Sequence, residues 1–184
     1  METMQSVQTA VFGGGCFWCT EAVFNTLKGV VSVVPGYSGG YVKDPSYEQV
    51  SAGDTGHAEV TKIEFDPNEI SFYDLLTVFF ATHDPTTLDR QGNDIGTQYR
   101  SVIFYMDEDQ KRQAEDHIKE VVPSFTDPIV TSLRPFEAFY PAEDYHQKYY
   151  EKHKDTPYCQ AIIDPKLEKL QKQFAALLKS HTKV

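Results

Sequence analysis

The feature that most constrains the fold is a run of three glycines, Gly13-Gly14-Gly15, between two segments of different periodicity. Residues 7–12 are short and mostly apolar, which favours a β-strand, and residues 16–27 place apolar side chains at helical spacing. Glycine adopts positive φ without a Cβ clash, so the chain can turn sharply between the two segments. The sequence therefore predicts a strand, a glycine turn and a helix with Cys16 in its first turn.

Cys16 and Cys19 form a C-x-x-C pair at this predicted helix start. The free N–H groups and the dipole of a helix N-terminus favour an anion, so we expect a lowered pKa for Cys16 and a role as nucleophile. Cys19 lies on the same helix face, where its thiol can attack an oxidised Cys16. Phe17 and Trp18 place an aromatic wall beside the sulfur. Spacing alone leaves three readings open, namely a redox pair, half a zinc site and two packed cysteines.

Composition predicts one globular domain over residues 1–184. The chain has 40% hydrophobic and 24% charged residues, which is typical of a folded domain of this size. Its net charge of -10 argues against nucleic acid as a partner. A basic, apolar leader and a run of about 20 apolar residues are both lacking. We therefore expect a cytoplasmic protein without membrane contact, and a monomer by default.

The remaining pattern predicts an α+β fold of two layers, with helices packed against one sheet. Further strands are expected at residues 30–37, 58–65, 101–106 and 129–133, and helices at residues 71–81, 107–122, 143–154 and about 165–180. A long polar loop precedes Tyr99. Besides the C-x-x-C pair, Cys159 and six dispersed histidines form no second paired cluster for zinc, and phosphate-binding signatures are missing. We expect no metal and no cofactor.

Five stretches of the chain resemble the A-type peptide methionine sulfoxide reductases, in the order expected for that family. They are GGGCFWCTEAVF at residues 13–24 and the segments at residues 35–60, 79–105, 139–150 and 157–160. The resemblance implies an α/β fold, with a ferredoxin-like core of a mixed sheet and packed helices. It also implies reduction of methionine S-sulfoxide, free or in proteins, through a sulfenic acid and an intramolecular disulfide that thioredoxin recycles.

The same resemblance implies roles for single residues. Cys16 matches the nucleophile, Phe17 and Trp18 match the apolar pocket for the substrate's methyl group, and Glu59 matches the acid beside the sulfoxide oxygen. The residues that match the polar groups around that oxygen are Tyr47, Asp94 and Tyr99. A sulfoxide oxygen must gain a proton before it leaves, and a carboxylic acid kept neutral by apolar surroundings is a suitable donor. Without the resemblance, Glu59 would be read as an exposed strand residue.

The thiol that resolves the sulfenic acid is left open between Cys19 and Cys159. Many family members have glycine where this chain has Cys19 and use cysteines near the C-terminus, and Cys159 matches one such position. We expect both to take part, with a disulfide to Cys16 forming first and exchange passing it outward. Two other functions are weighed: a thioredoxin-like disulfide oxidoreductase and a non-enzymatic zinc or protein-binding module. We interpret His57 and His146 as structural hydrogen-bonding residues.

Overall fold

The computed structural model describes residues 6–180, so the ends of the predicted domain, residues 1–5 and 181–184, lie outside the described part. The strands in chain order are β1 (Gln8–Gly13), β2 (Val30–Ser38), β3 (Ala58–Phe65), β4 (Arg90–Gln91), β5 (Asp94–Ile95), β6 (Val102–Tyr105), β7 (Ser132–Pro135) and β8 (Phe139–Pro141). The α-helices are α1 (Phe17–Asn25), α2 (Tyr47–Ser51), α3 (Phe72–Thr82), α4 (Glu108–Val121), α5 (Tyr149–Lys152) and α6 (Asp164–Gln173).

Six strands form one mixed sheet in the order β7-β6-β1-β3-β2-β8. All neighbouring strands are antiparallel except β6 and β7, which are parallel. The four central strands, β6-β1-β3-β2, and the helices α1 and α3 that connect them have the strand order of a ferredoxin-like unit. The predicted fold class, a ferredoxin-like core of a mixed sheet with packed helices, is confirmed.

The core lies between the sheet and its helices. Successive side chains of β1 point to opposite faces of the sheet. Ala10 and Phe12 point to the face that the helices cover, and Val11 points to the other face. Phe12 stacks on Phe79 of α3 with ring centroids 4.8 Å apart and is fully buried. This packing anchors the end of β1, and with it the turn that leads to Cys16.

The predicted helix at residues 71–81 is confirmed, with Ser71 as its N-cap. The Ser71 hydroxyl accepts from the Asp74 N–H, and the Asp74 carboxylate accepts from the Ser71 N–H. This reciprocal capping box satisfies two N–H groups that the first turn would otherwise leave free. The predicted loop before Tyr99 contains more structure than expected, because β4 and β5 form a short hairpin there.

Two predicted helices differ from the structure. The helix predicted at residues 143–154 is interrupted at Lys148, which has a φ of 54°, and only α5 remains helical in the α sense. The N–H groups of Lys148 and Tyr149 donate to the carboxylate of Glu21, so a tertiary contact replaces the helical bonds. The helix predicted at about residues 165–180 ends at Gln173.

Backbone pairing with distant segments explains why α6 ends early and why the last predicted strand is shifted. The tail after α6 pairs with the end of α1, where the Lys28 N–H donates to the carbonyl of Leu177 at 2.8 Å. That pairing requires a bent tail in place of a continuing helix. The strand predicted at residues 129–133 lies at Ser132–Pro135, because its register is set by parallel pairing with β6.

Candidate active site

The glycine turn places Cys16 between the end of β1 and the start of α1. Gly15 has a φ of +93°, and a Cβ at this residue would lie 2.7 Å from the Cγ of Gln91, so both backbone and space require glycine. Cys16 is extended, with φ -61° and ψ 128°, and is the N-cap of α1. The helix therefore begins at Phe17, one residue later than predicted, and Cys16 stays half-buried at its tip.

Glu59 lies beside this helix start. It is 2% exposed, so the reading of Glu59 as an exposed strand residue is excluded. Its Oε1 accepts a hydrogen bond from the Phe17 N–H at 3.2 Å, one of the N–H groups that a first helical turn leaves unpaired. Burial raises the pKa of Glu59 to about 8. The carboxyl group is therefore mostly protonated at neutral pH.

Three polar side chains from separate elements lie within electrostatic reach of Glu59. They are Tyr47 at the start of α2, Asp94 on β5 and Tyr99 in the turn before β6. Burial raises the pKa of all three, and the charge of Glu59 further raises the pKa values of both tyrosines. The structure thus brings together the group that the resemblance predicted. The β4–β5 hairpin, absent from the sequence prediction, is what presents Asp94.

Phe17 and Trp18 form the apolar side of the site. Phe17 is 1% exposed, and Trp18 is half-buried and stacks on Tyr149 with ring centroids 3.7 Å apart. The Trp18 Nε1–H donates to the Nδ1 of His146 at 3.0 Å. This bond fixes the indole plane beside Cys16, and within residues 6–180 the buried Nε2 of His146 has no hydrogen-bond partner.

The three cysteines are reduced and differ in exposure. Cys16 is half-buried, Cys19 is 4% exposed and Cys159 is fully buried in the main core. The Sγ of Cys19 lies 3.4 Å from the hydroxyl of Tyr158. Cys159 begins a π-helical turn, Cys159–Ile163, that runs directly into α6. Cys16 is thus the thiol that a substrate can reach.

The protonation of the pair differs from the sequence-based prediction. Burial, the hydrogen bond with Cys19 and the charge of Glu59 raise the pKa of Cys16 well above its usual value. The hydrogen bond with Cys16 and the charge of Lys166 lower the pKa of Cys19 to about 7. The expected lowering of the Cys16 pKa is therefore wrong for the resting site, because burial outweighs the helix terminus. The thiol with the lowered pKa is Cys19.

Sequence reasoning missed several neighbours of the site. His146, interpreted from the sequence as a structural hydrogen-bonding residue, does accept from the Trp18 Nε1–H; its contacts with the rings of Phe17 and Tyr47 were not predicted. Glu143 accepts from the Tyr37 hydroxyl and from the Tyr47 N–H, and so anchors the start of α2. These contacts join segments about 100 residues apart, and local periodicity carries no signal for them.

Residues 6–180 show neither a metal-binding cluster nor a membrane-spanning helix. In this part of the chain no three His, Cys, Asp or Glu side chains lie together in a way that could hold a metal ion. Within the same residues no helix is long and apolar enough to cross a bilayer.

A reachable thiol, a neighbouring protonated carboxyl and a second thiol at one helix start define a thiol-dependent oxidoreductase. The profile of the family described as peptide methionine sulfoxide reductase matches residues 8–178. The chain belongs to this family.

Individual relatives agree with this assignment over nearly the whole chain. The peptide methionine sulfoxide reductase MsrA of Saccharolobus solfataricus is 55% identical over 175 residues, which cover 95% of this chain and 99% of the relative. That of Acinetobacter baumannii is 58% identical over 174 residues, or 95% and 100% of the two chains. The reduced crystal structure of Mxr1 from Saccharomyces cerevisiae superposes with a TM-score of 0.79 at 32% identity, covering 86% and 92%. The predicted family and enzyme class are confirmed.

Proposed function

We propose that this chain reduces methionine S-sulfoxide, free or in proteins, with Cys16 as nucleophile and Glu59 as proton donor. The observation that carries this proposal is the pairing of a half-buried thiol with a buried carboxyl held at the same helix start by the Phe17 N–H. A buried carboxyl with a raised pKa can give a proton at neutral pH, which the sulfoxide oxygen needs.

The first half-reaction moves the oxygen from substrate to enzyme. The aromatic faces of Phe17 and Trp18 receive the substrate's methyl group, which directs the sulfur toward Cys16. Glu59 protonates the sulfoxide oxygen, while the side chains that hold this oxygen are Tyr47, Asp94 and Tyr99. The Cys16 sulfur attacks the sulfoxide sulfur and its thiol proton restores the one that Glu59 gave. The substrate S–O bond breaks as the oxygen passes to Cys16, so methionine leaves and Cys16 becomes a sulfenic acid, the first step of the cysteine oxidation ladder.

The second half-reaction forms a disulfide between Cys16 and Cys19. Cys19 is the partner because its thiol already interacts with Cys16, whereas Cys159 is fully buried in the core. The Cys19 sulfur attacks the sulfenic sulfur, the S–O bond breaks and water leaves. Cys159 then takes part by exchange, after the helical segment around it opens.

An external dithiol must reopen the disulfide, and we assign this role to thioredoxin acting in the cytoplasm. Three cysteines are an odd number and too few for a disulfide scaffold, which suits a reducing compartment. The thioredoxin-like alternative for this chain itself is less suitable, because Phe17 and Trp18 between the two cysteines form an apolar wall that suits a methyl group more than a disulfide substrate.

Turnover of the resolved epimers of methionine sulfoxide with dithiothreitol tests the reaction. We expect consumption of the S epimer, and no consumption by the Cys16→Ser variant. Activity of that variant, or no turnover of either epimer by the intact chain, would refute the assignment.

Peptide mapping after one turnover without reductant tests the resolving thiol. We expect a Cys16–Cys19 disulfide in the intact chain and in Cys159→Ser. A Cys19→Ser variant that closes a disulfide at the full rate would show that Cys159 attacks first.

A further inference from the structure

One continuous helical segment packs against the side of α1 that carries Cys19. It consists of the π-helical turn Cys159–Ile163 and α6, and it buries Leu167 and Leu170 in the main core. π-helical turns occur frequently at functional sites. The residue before the turn, Tyr158, brings its hydroxyl to the Sγ of Cys19. This segment therefore touches the second thiol as well as carrying the third.

Lys166, on the same segment, lines a small crevice behind Cys19. The crevice is lined by Lys166, Cys19 and the residues of the glycine turn and α3 that surround them, among them Gly14, Phe79 and His83. Lys166 is half-buried there. The next lysine of α6, Lys169, is exposed instead and donates to the carbonyl of Ala81. Of the two lysines, Lys166 is the one that lines the crevice with Cys19, although both also line an open groove beside Ala81.

The charges around Cys19 distinguish Lys166 from the other groups. The groups that face the thiol from the elements packed around it are Cys16, Glu59, Asp94, Tyr158, His83 and Lys166. The carboxylate of Asp94 disfavours a thiolate, and burial lowers the pKa of His83 to about 4, so His83 is neutral at pH 7. Lys166 supplies the positive charge that favours the thiolate.

We propose that Lys166 is a positioning residue for disulfide formation, and that its ammonium group holds Cys19 as the thiolate that attacks the sulfenic acid of Cys16. This inference rests on the proposed function, in which Cys19 is the first resolving thiol. The step balances as one S–S bond formed and one S–O bond broken. The oxygen leaves as water, with its second proton taken from solvent because Cys19 attacks as the thiolate.

Lys166 matters more for the Cys19 thiolate during the second half-reaction than in the resting enzyme. The resting thiol of Cys16 also favours the Cys19 thiolate through their hydrogen bond, but the first half-reaction converts that thiol to a sulfenic acid. Tyr158 and Lys166 remain in place during the second half-reaction. Loss of the ammonium group should therefore slow the second half-reaction more than the first.

The test compares three variants in a single turnover at pH 6.5 and pH 9. Lys166→Met removes the charge, Lys166→Arg keeps it, and Lys169→Met is the matched control on the same helix. Methionine release reports the first half-reaction, a sulfenic-acid-specific probe reports the intermediate, and alkylation with peptide mapping reports the disulfide.

We expect Lys166→Met to release methionine, accumulate sulfenic acid at pH 6.5 and lower the ratio of disulfide formation to methionine release by about tenfold, which corresponds to one pH unit in the Cys19 titration. The ratio should recover at pH 9, where the thiol ionises without help. Lys166→Arg and Lys169→Met should match the intact chain.

The proposal is overturned if Lys166→Met traps no more sulfenic acid than Lys169→Met, or if Lys166→Arg is as slow as Lys166→Met. Failure of the underlying assignment would look different. In that case Cys19→Ser would close its disulfide at the full rate, whatever residue occupies position 166.

Discussion

Replacing Glu59 by glutamine should lower activity and raise stability in the same protein. Glutamine keeps the size of the side chain and an oxygen that can accept from the Phe17 N–H, but it cannot give a proton to the sulfoxide. General acid catalysis contributes roughly 10² to 10⁴ in rate. We expect methionine release in a single turnover to fall by that factor in Glu59→Gln.

The stability effect follows from the raised pKa of Glu59. The pKa rises from its ordinary value of 4.5 to about 8 on folding, so the folded state keeps a proton that the unfolded state has lost between these values. Stability therefore falls as pH rises through this window, by about 1.4 kcal/mol per pH unit. The full penalty above pH 8 is about 5 kcal/mol, and at pH 7 it is about 3 kcal/mol. Glutamine removes this titration.

Urea unfolding at pH 5 and pH 7.5 measures the difference. Glu59→Gln should exceed the intact chain in free energy of unfolding by a margin that grows between the two values. Glu64→Gln is the matched control, because Glu64 lies on the same strand and is half-buried, where it accepts from the Ser32 hydroxyl. A margin for Glu59→Gln that does not change with pH, or full single-turnover activity of this variant, would refute the reasoning.

Three further predictions concern the pocket and the scaffold. Tyr47→Phe and Tyr99→Phe should each lower kcat/KM about tenfold with unchanged unfolding, since each removes a hydrogen bond that we propose to the sulfoxide oxygen; an unchanged kcat/KM would remove that tyrosine from the site. Phe12→Ala should lower the free energy of unfolding by about 3 to 5 kcal/mol, because Phe12 is fully buried, and a loss under 1 kcal/mol in urea unfolding would contradict the packing. Ser71→Ala should lower it by about 1 kcal/mol in the same assay, whereas Asp74→Asn should lower it less.

Local patterns predicted most of the scaffold. The glycine run predicted the turn into α1, and Ser71 with its apolar run predicted α3, because strand, turn and cap depend on neighbours in the chain. The same reasoning was wrong where distant groups supply the backbone hydrogen bonds. Glu21 binds the N–H groups of Lys148 and Tyr149 and interrupts the helix predicted there.

The sequence by itself determined that Cys16 stands at a helix start, and the resemblance of its segments named the chemistry and the acid at Glu59. Only the tertiary structure decided the protonation of that site. Burial keeps Glu59 protonated at neutral pH and raises the pKa of Cys16, while Cys16 and Lys166 favour a thiolate at Cys19. The reason is physical: a pKa depends on desolvation and on charges within a few ångströms, and these come from residues far apart along the chain.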